Sequence, residues 1–221
     1  MNKNERMAMV MAKLKGTSFY KMPASTRYHN NFEGGLLDHS TGVWLNLERL
    51  TSALGLEWED PSSPFVVAIL HDACKIGMYF YNHDYGCWEH NPDHPIGHGD
   101  LSLKIIEELD IELTEEEMLC IRWHMGAFDE MENWNKFTDA IHKYPNVFWT
   151  HVADMMATHI DEVADTKPEP GVAACCICGA SLGDSYGNNA APVKDGQCCD
   201  HCNLTVVIPA RLTSGGNTHE E

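Results

Sequence analysis

Apolar residues recur at three- and four-residue spacing from Leu36 through Val43, Leu47, Leu50 and Leu54, which predicts an amphipathic helix opening after Gly34-Gly35 and closing at about Gly55. His39 lies on that apolar stripe. The run Phe65-Val66-Val67-Ala68-Ile69-Leu70 predicts a second helix, with Ser63 as N-cap and Pro64 at its first position, continuing through Ile76. Leu101, Ile105, Ile106 and Leu109 mark a third, with His98 at its start. Thr114 followed by Glu117 is a capping-box pattern, so a fourth should run from about Glu115 toward Met125 and carry His124 at its far end. A last long helix is expected from Pro145 or Asn146 to Val163, where Asp154 shares a face with His151 and Thr158. The stretch 82–99, rich in Gly, Pro and Asn and holding four histidines, reads as a surface loop. The core is therefore expected to be all-helical.

After residue 164 the pattern changes. Residues 165–171, with two prolines and a glycine, read as a linker. Cys175-x-x-Cys178 and Cys199-x-x-Cys202, twenty residues apart, have the ligand spacing of a four-cysteine structural zinc site on two knuckles. A segment this short and poor in apolar residues has little else to hold it folded. Thr205-Val206-Val207-Ile208 reads as a strand against the knuckles, and 213–221 as a loose tail. Cys176 and Cys198 are spare neighbours of the four. Cys74, Cys87 and Cys120 read as small apolar side chains with no assigned function.

Composition narrows the partners. The chain has 221 residues, 43% of them hydrophobic, enough for a real core in one ordinary domain plus a small module. Its formal net charge of −18 disfavours a broad nucleic-acid surface. Lys3, Arg6, Lys13, Lys15, Lys21 and Arg27 face only Glu5 within the first 27 residues, a balance of +5 that leaves −23 for the remainder. Residues 1–27 read as a solvated basic arm, or as one whose Arg27 or Lys21 folds over a phosphate. Lys13 and Lys15 interrupt the apolar stretch Met7 to Ala12 before signal-peptide length, and no stretch reaches membrane-span length. A cytoplasmic protein whose cysteines are thiols or metal ligands, with no membrane partner, is the expectation.

The chemistry lies in His39, the adjacent pair His71-Asp72, and Asp154. Two imidazoles and two carboxylates from three helices can converge on a divalent ion in a bundle. A lone histidine on an apolar face is ordinarily a satisfied core residue; burying four such groups together without a cation would be very unfavourable. The order His, His-Asp, Asp, with Lys75 completing His71-Asp72-x-x-Lys75, resembles the HD superfamily of metal-dependent phosphohydrolases over roughly residues 28–164. The cysteine module, with Tyr186-Gly187-Asn188-Asn189-Ala190-Ala191-Pro192-Val193, is similar to small zinc modules of bacteriophage proteins, which implies a host-cytoplasmic setting.

The resemblance implies a mainly α fold, an HD-type helical bundle followed by a small β-containing zinc ribbon or knuckle module at 172–212. It implies a first ion held by His39, His71, Asp72 and Asp154, and a second near His98 and His124 with Asp72 bridging. Catalysis would rest on Asp72 and on Lys75, which meets the attacked phosphate, with Arg27 as a weaker phosphate contact. The mixed nitrogen and oxygen ligands favour Mn, Fe, Co, Ni or Zn. The implied substrate is a small phosphate ester, foremost a nucleotide. A 3'-to-5' exonuclease on single strands is a second reading, disfavoured by charge, and a zinc-stabilised interaction protein without catalysis a third.

Overall fold

The computed structural model describes residues 1–26, 30–95, 97–162, 174–182, 187–199, 202–208 and 210–211. Arg27, the linker 165–171 and the tail 213–221 lie outside the described residues. The chain divides into two compact units, 1–163 and 164–221. Among the described residues the first unit holds seven α-helices and a two-stranded hairpin, so the protein is mainly helical. No described helix is long and apolar enough to cross a membrane.

Helix α1 (Lys3–Leu14) starts on a full capping box between Asn2 and Glu5. Instead of forming a solvated arm, it buries Arg6, Val10 and Leu14, one helical turn apart. Helix α2 (Gly35–Leu54) follows the expected stripe and buries Leu36, His39, Val43 and Leu47. It stops where Gly55 takes φ 64° and sends its N–H back to the Thr51 carbonyl, a left-handed turn that glycine adopts without a Cβ penalty. Helix α3 (Ser63–Leu70) is buried along its whole length and packs against α2 and α5.

The helix does not continue to Ile76 as the apolar run suggested. It breaks after Leu70, and a 3-10 turn (Ala73–Lys75) follows. Buried Ser102, on helix α4 (Gly99–Glu108), stitches this break. Its hydroxyl donates to the His71 carbonyl at 2.8 Å and accepts from the Cys74 N–H at 3.0 Å. The expected loop at 82–99 overlaps an antiparallel hairpin, β1 (Tyr79–Asn82) with β2 (Cys87–His90). Tyr81 against Trp88 and Tyr79 against His90 are its cross-strand aromatic pairs.

Helix α5 (Glu115–Arg122) opens on the anticipated Thr114 and Glu117 box. Helix α6 (Trp134–Lys143), short and mostly exposed, is an element the sequence reading did not place, although Phe137, Ala140 and Ile141 recur at helical spacing and pack toward the core. Helix α7 (Asn146–Met156) packs on α2 and α5, then widens into a π-helical turn over 157–161.

Glu117 ties three helices together. Its carboxylate accepts both Arg6 terminal nitrogens at 2.6 Å and the Ser63 hydroxyl at 2.7 Å, besides the Thr114 N–H at 2.9 Å. Ser63, expected as a cap, thus serves α5 instead of its own helix. The pair is buried and fully hydrogen-bonded, so removing one partner strands a charge in the core.

The second unit is built on its cysteines. Strands β3 (Asn188–Asn189) and β4 (Gln197–Cys198) form a short hairpin, and Ala174 bridges to Ser181. Leu182, Ala190, Cys198 and Val207 fill its small core around Cys175 and Cys202. The strand expected at 205–208 is instead part of a π-helical turn (Asn203–Val207) that continues from Cys202. The turn brings Val207 into the buried cluster around Cys175 and Cys202, and that packing overrides the β preference of the branched residues.

Arg6→Ala should lower the stability of the helical unit by about 3–5 kcal/mol, because Glu117 would remain buried without its cation. Urea unfolding followed by far-ultraviolet circular dichroism measures it; an unmoved midpoint would show that the pair does not hold α1 in place.

Candidate metal centre

Successive side chains on a continuing α-helix diverge by about 100°, so His71 and Asp72 could not both face one point if α3 ran on. The break after Leu70 removes that restriction. Asp72 leaves the helical region at φ −104°, ψ 27°, and its Oδ2 comes to 3.3 Å from His71 Nε2. His39, from the buried stripe of α2, brings its Nε2 to 3.2 Å from His71 Nε2 and 3.7 Å from Asp72 Oδ2. Asp154, from α7, places Oδ1 3.2 Å from His39 Nε2. The four residues are each at most 6% exposed.

His124 arrives from the end of α5, with Nε2 3.6 Å from Asp72 Oδ1. His98, the exposed residue preceding α4, has its ring 6.4 Å from that of His124. Gly99 makes this approach possible, since a Cβ there would collide with the Arg122 carbonyl. The structure therefore gathers His39, His71, Asp72, His98, His124 and Asp154 at one place, and it divides the Asp72 oxygens. Oδ2 faces His39 and His71, while Oδ1 faces His124.

The last carbonyls of a helix have no partner within it. His71 Nδ1 meets the Ala68 carbonyl and His124 Nδ1 the Ile121 carbonyl, each at 2.7 Å and each three residues back. A carbonyl only accepts, so both rings carry their proton on Nδ1 and turn an Nε2 lone pair inward. His39 Nδ1 is likewise fixed by Glu162 Oε1 at 2.6 Å. These are the outer partners that orient ligating imidazoles and raise their basicity. His151 supports from behind, with Nδ1 2.7 Å from the His124 carbonyl.

Inside this shell, lone pairs and carboxylate oxygens face one another. His124 Nε2 is buried and has no hydrogen-bond partner among the described residues. Lys75 Nζ, itself buried, contacts Asp72 Oδ2 at 2.6 Å. Burial alone would raise the Asp72 carboxyl, but Lys75 and His71 beside it hold it well below the usual range. Burial would lower His39; hydrogen bonds to Asp154 and Glu162 outweigh it and push the imidazole up to about 9. A pocket that draws in a proton this strongly is one that favours positive charge.

Ligands of a tetrahedral ion with bonds of about 2.0–2.2 Å lie about 3.3–3.6 Å apart. The observed edges of 3.2 to 3.7 Å fit, and His39, His71 and Asp154, or His71, Asp72 and His124, could each hold a metal ion. In the second unit Cys175, Cys178, Cys199 and Cys202 form a further cluster that could hold one. The Cys178 and Cys202 N–H groups donate to the sulfurs of Cys175 and Cys199 at 3.5 Å; burial would raise the Cys175 thiol, and the backbone donors outweigh it and bring it down to about 6. Comparison with family models, characterised proteins and solved structures returns no match to this chain.

Sequence reasoning missed Glu162, Ser102 and His151, which touch the ligands rather than joining them. His151 was visible only as a residue on the face of Asp154, and Glu162 as an acidic residue two turns past Asp154 at the end of a helical pattern.

Metal analysis of the purified chain should give more than one equivalent, and Asp72→Ala should lose only part of it, the cysteine-bound share remaining. A single equivalent unchanged by Asp72→Ala would argue against a centre in the helical unit. Glu162→Ala should weaken binding there by about 10–100-fold in chelator competition, through loss of the His39 support; equal affinity would assign Glu162 to structure alone.

Proposed function

We propose that the helical unit is a metal-dependent phosphohydrolase of the HD type acting on a small phosphate ester, foremost a nucleotide. The observation that carries this reading is the pair of buried triads that share His71, one with His39 and Asp154 and the other with Asp72 and His124, with His98 beside them.

His39, His71, Asp72 and Asp154 would hold a first ion, and Asp72 with His98 and His124 a second. A divalent cation supplies two things to phosphate ester hydrolysis, acidified water and neutralisation of charge on the nonbridging oxygens. The remaining work falls to this chain's own groups. Asp72 presents one oxygen to each side. Lys75, held beside it, adds a fixed positive charge where phosphate oxygens would approach. His98 is exposed where the others are buried, so the centre opens to solvent on the α4 side.

A groove of about 860 Å³ supports a small, partly aromatic substrate. Lys21, Phe32, Tyr79, Phe80, Tyr81 and Trp88 are among its walls, and Tyr79 is near enough to Lys75 and Asp72 to feel both charges. Aromatic walls with a few polar groups suit a nucleobase. The formal charge of −18 weighs against a long polyanion.

Incubation with a panel of nucleoside mono- and triphosphates in the presence of Mn²⁺ should release phosphate, and both His71→Ala and Asp72→Ala should abolish the release. Turnover of none of the panel, or turnover indifferent to both substitutions, would reject the proposal.

A further inference from the structure

Cys74 occupies a position that the helical centre's imidazoles and carboxylates do not account for. It is fully buried, two residues past Asp72, in the 3-10 turn that follows the break in α3. Its Sγ lies 3.6 Å from His98 Nδ1 and 3.9 Å from Asp72 Oδ1. One ligand atom from each of Asp72, Cys74 and His98 falls within 4.8 Å of the others. For a tetrahedral ion with a metal–sulfur bond of about 2.3 Å and a metal–nitrogen bond of about 2.0 Å, the sulfur and nitrogen should stand about 3.5 Å apart. The Cys74 to His98 separation is close to that.

The backbone holds the sulfur in place. Its own N–H is taken by the Ser102 hydroxyl, its carbonyl accepts from His94 Nε2 at 2.8 Å, and the turn is anchored at His71 through the same serine. The thiol therefore faces Asp72 Oδ1, the oxygen turned away from His39 and His71, and the one that also faces the unpartnered His124 Nε2. His98, exposed on its outer side, closes the group while leaving an approach from solvent.

We propose that Cys74 is a thiolate ligand of the second ion, completing with Asp72 and His98 a mixed sulfur, nitrogen and oxygen site next to the first. This rests on the reading of the helical unit as a metal centre and adds a donor to it. A soft thiolate shifts the preference of that position toward Zn, Fe or Co and away from Mg and Mn. The two positions then differ in kind, one an imidazole and carboxylate site and the other a site containing sulfur.

The test titrates the full-length metal-free chain with Co²⁺ and follows both stoichiometry and the thiolate-to-cobalt charge-transfer band in the near ultraviolet. The four-cysteine cluster contributes to that band with the first equivalent, four thiolates being the best donor set present for a soft ion. In the wild type, a later equivalent should add further charge-transfer intensity. Cys74→Ser should lose the later increment and keep the first. His98→Ala, at an exposed position that does not disturb the core, should lose it as well, and so keeps the test decisive if the serine variant fails to fold. Later equivalents that bind with only ligand-field bands, or an increment unchanged in both variants, would overturn the assignment of Cys74 and leave the metal centre standing. Saturation at one equivalent would remove the centre and the thiolate together.

Discussion

Groups that only accept protons, brought together out of water, repel one another unless positive charge lies among them. That constraint organises the helical unit. Three Nε2 atoms and the oxygens of Asp72 and Asp154 face a common space, and each histidine has its other nitrogen committed to a carbonyl or to Glu162. The rings cannot turn to relieve the crowding without giving up those bonds. Lys75 answers part of the excess negative charge, and the raised affinity of His39 for a proton answers another part. A divalent ion would satisfy all of it at once, which is why the site reads as a metal centre before any reaction is considered.

The positions of these atoms follow from where helices end. His71 and His124 each sit just past a helix terminus, where a carbonyl without a partner is available to orient the ring. A longer α3 would satisfy that carbonyl in the backbone and send Asp72 elsewhere. Ser102 maintains the break, and Gly99 lets α4 approach the end of α5 closely enough to bring His98 toward His124. Away from the centre, the buried Arg6 and Glu117 pair joins α1, α3 and α5, so one ionic contact fixes the elements from which two of the ligand groups emerge. Stability and site geometry here share the same connections.

The cysteine unit meets a different requirement. Among the described residues its core consists of a few small and aliphatic side chains packed around sulfur, too little apolar surface to hold so short a segment by itself. Cross-linking through four sulfurs is the alternative that its spacing offers. The segment after Cys202 shows how weak the local preference of Thr205-Val206-Val207 is beside that core. A sequence rich in β-branched residues winds into a helical turn that buries Val207 against the cysteines.

The sequence by itself determined which residues could serve. Periodicity placed α2 between Gly34 and Gly55, the Thr114 and Glu117 box opened α5, and the residue types His, Asp and Cys at their spacings marked both candidate metal clusters. These are local properties, set by one turn of helix or by a four-residue knuckle. Only the tertiary structure decided the rest. The stop of α3 at Leu70 depends on Ser102, thirty-two residues further along; the orientation of His39 depends on Glu162; the burial of Arg6 depends on Glu117. Each is a hydrogen bond or ion pair between distant segments, whose energy exists only once the chain has brought them together, so no pattern along the chain could announce it.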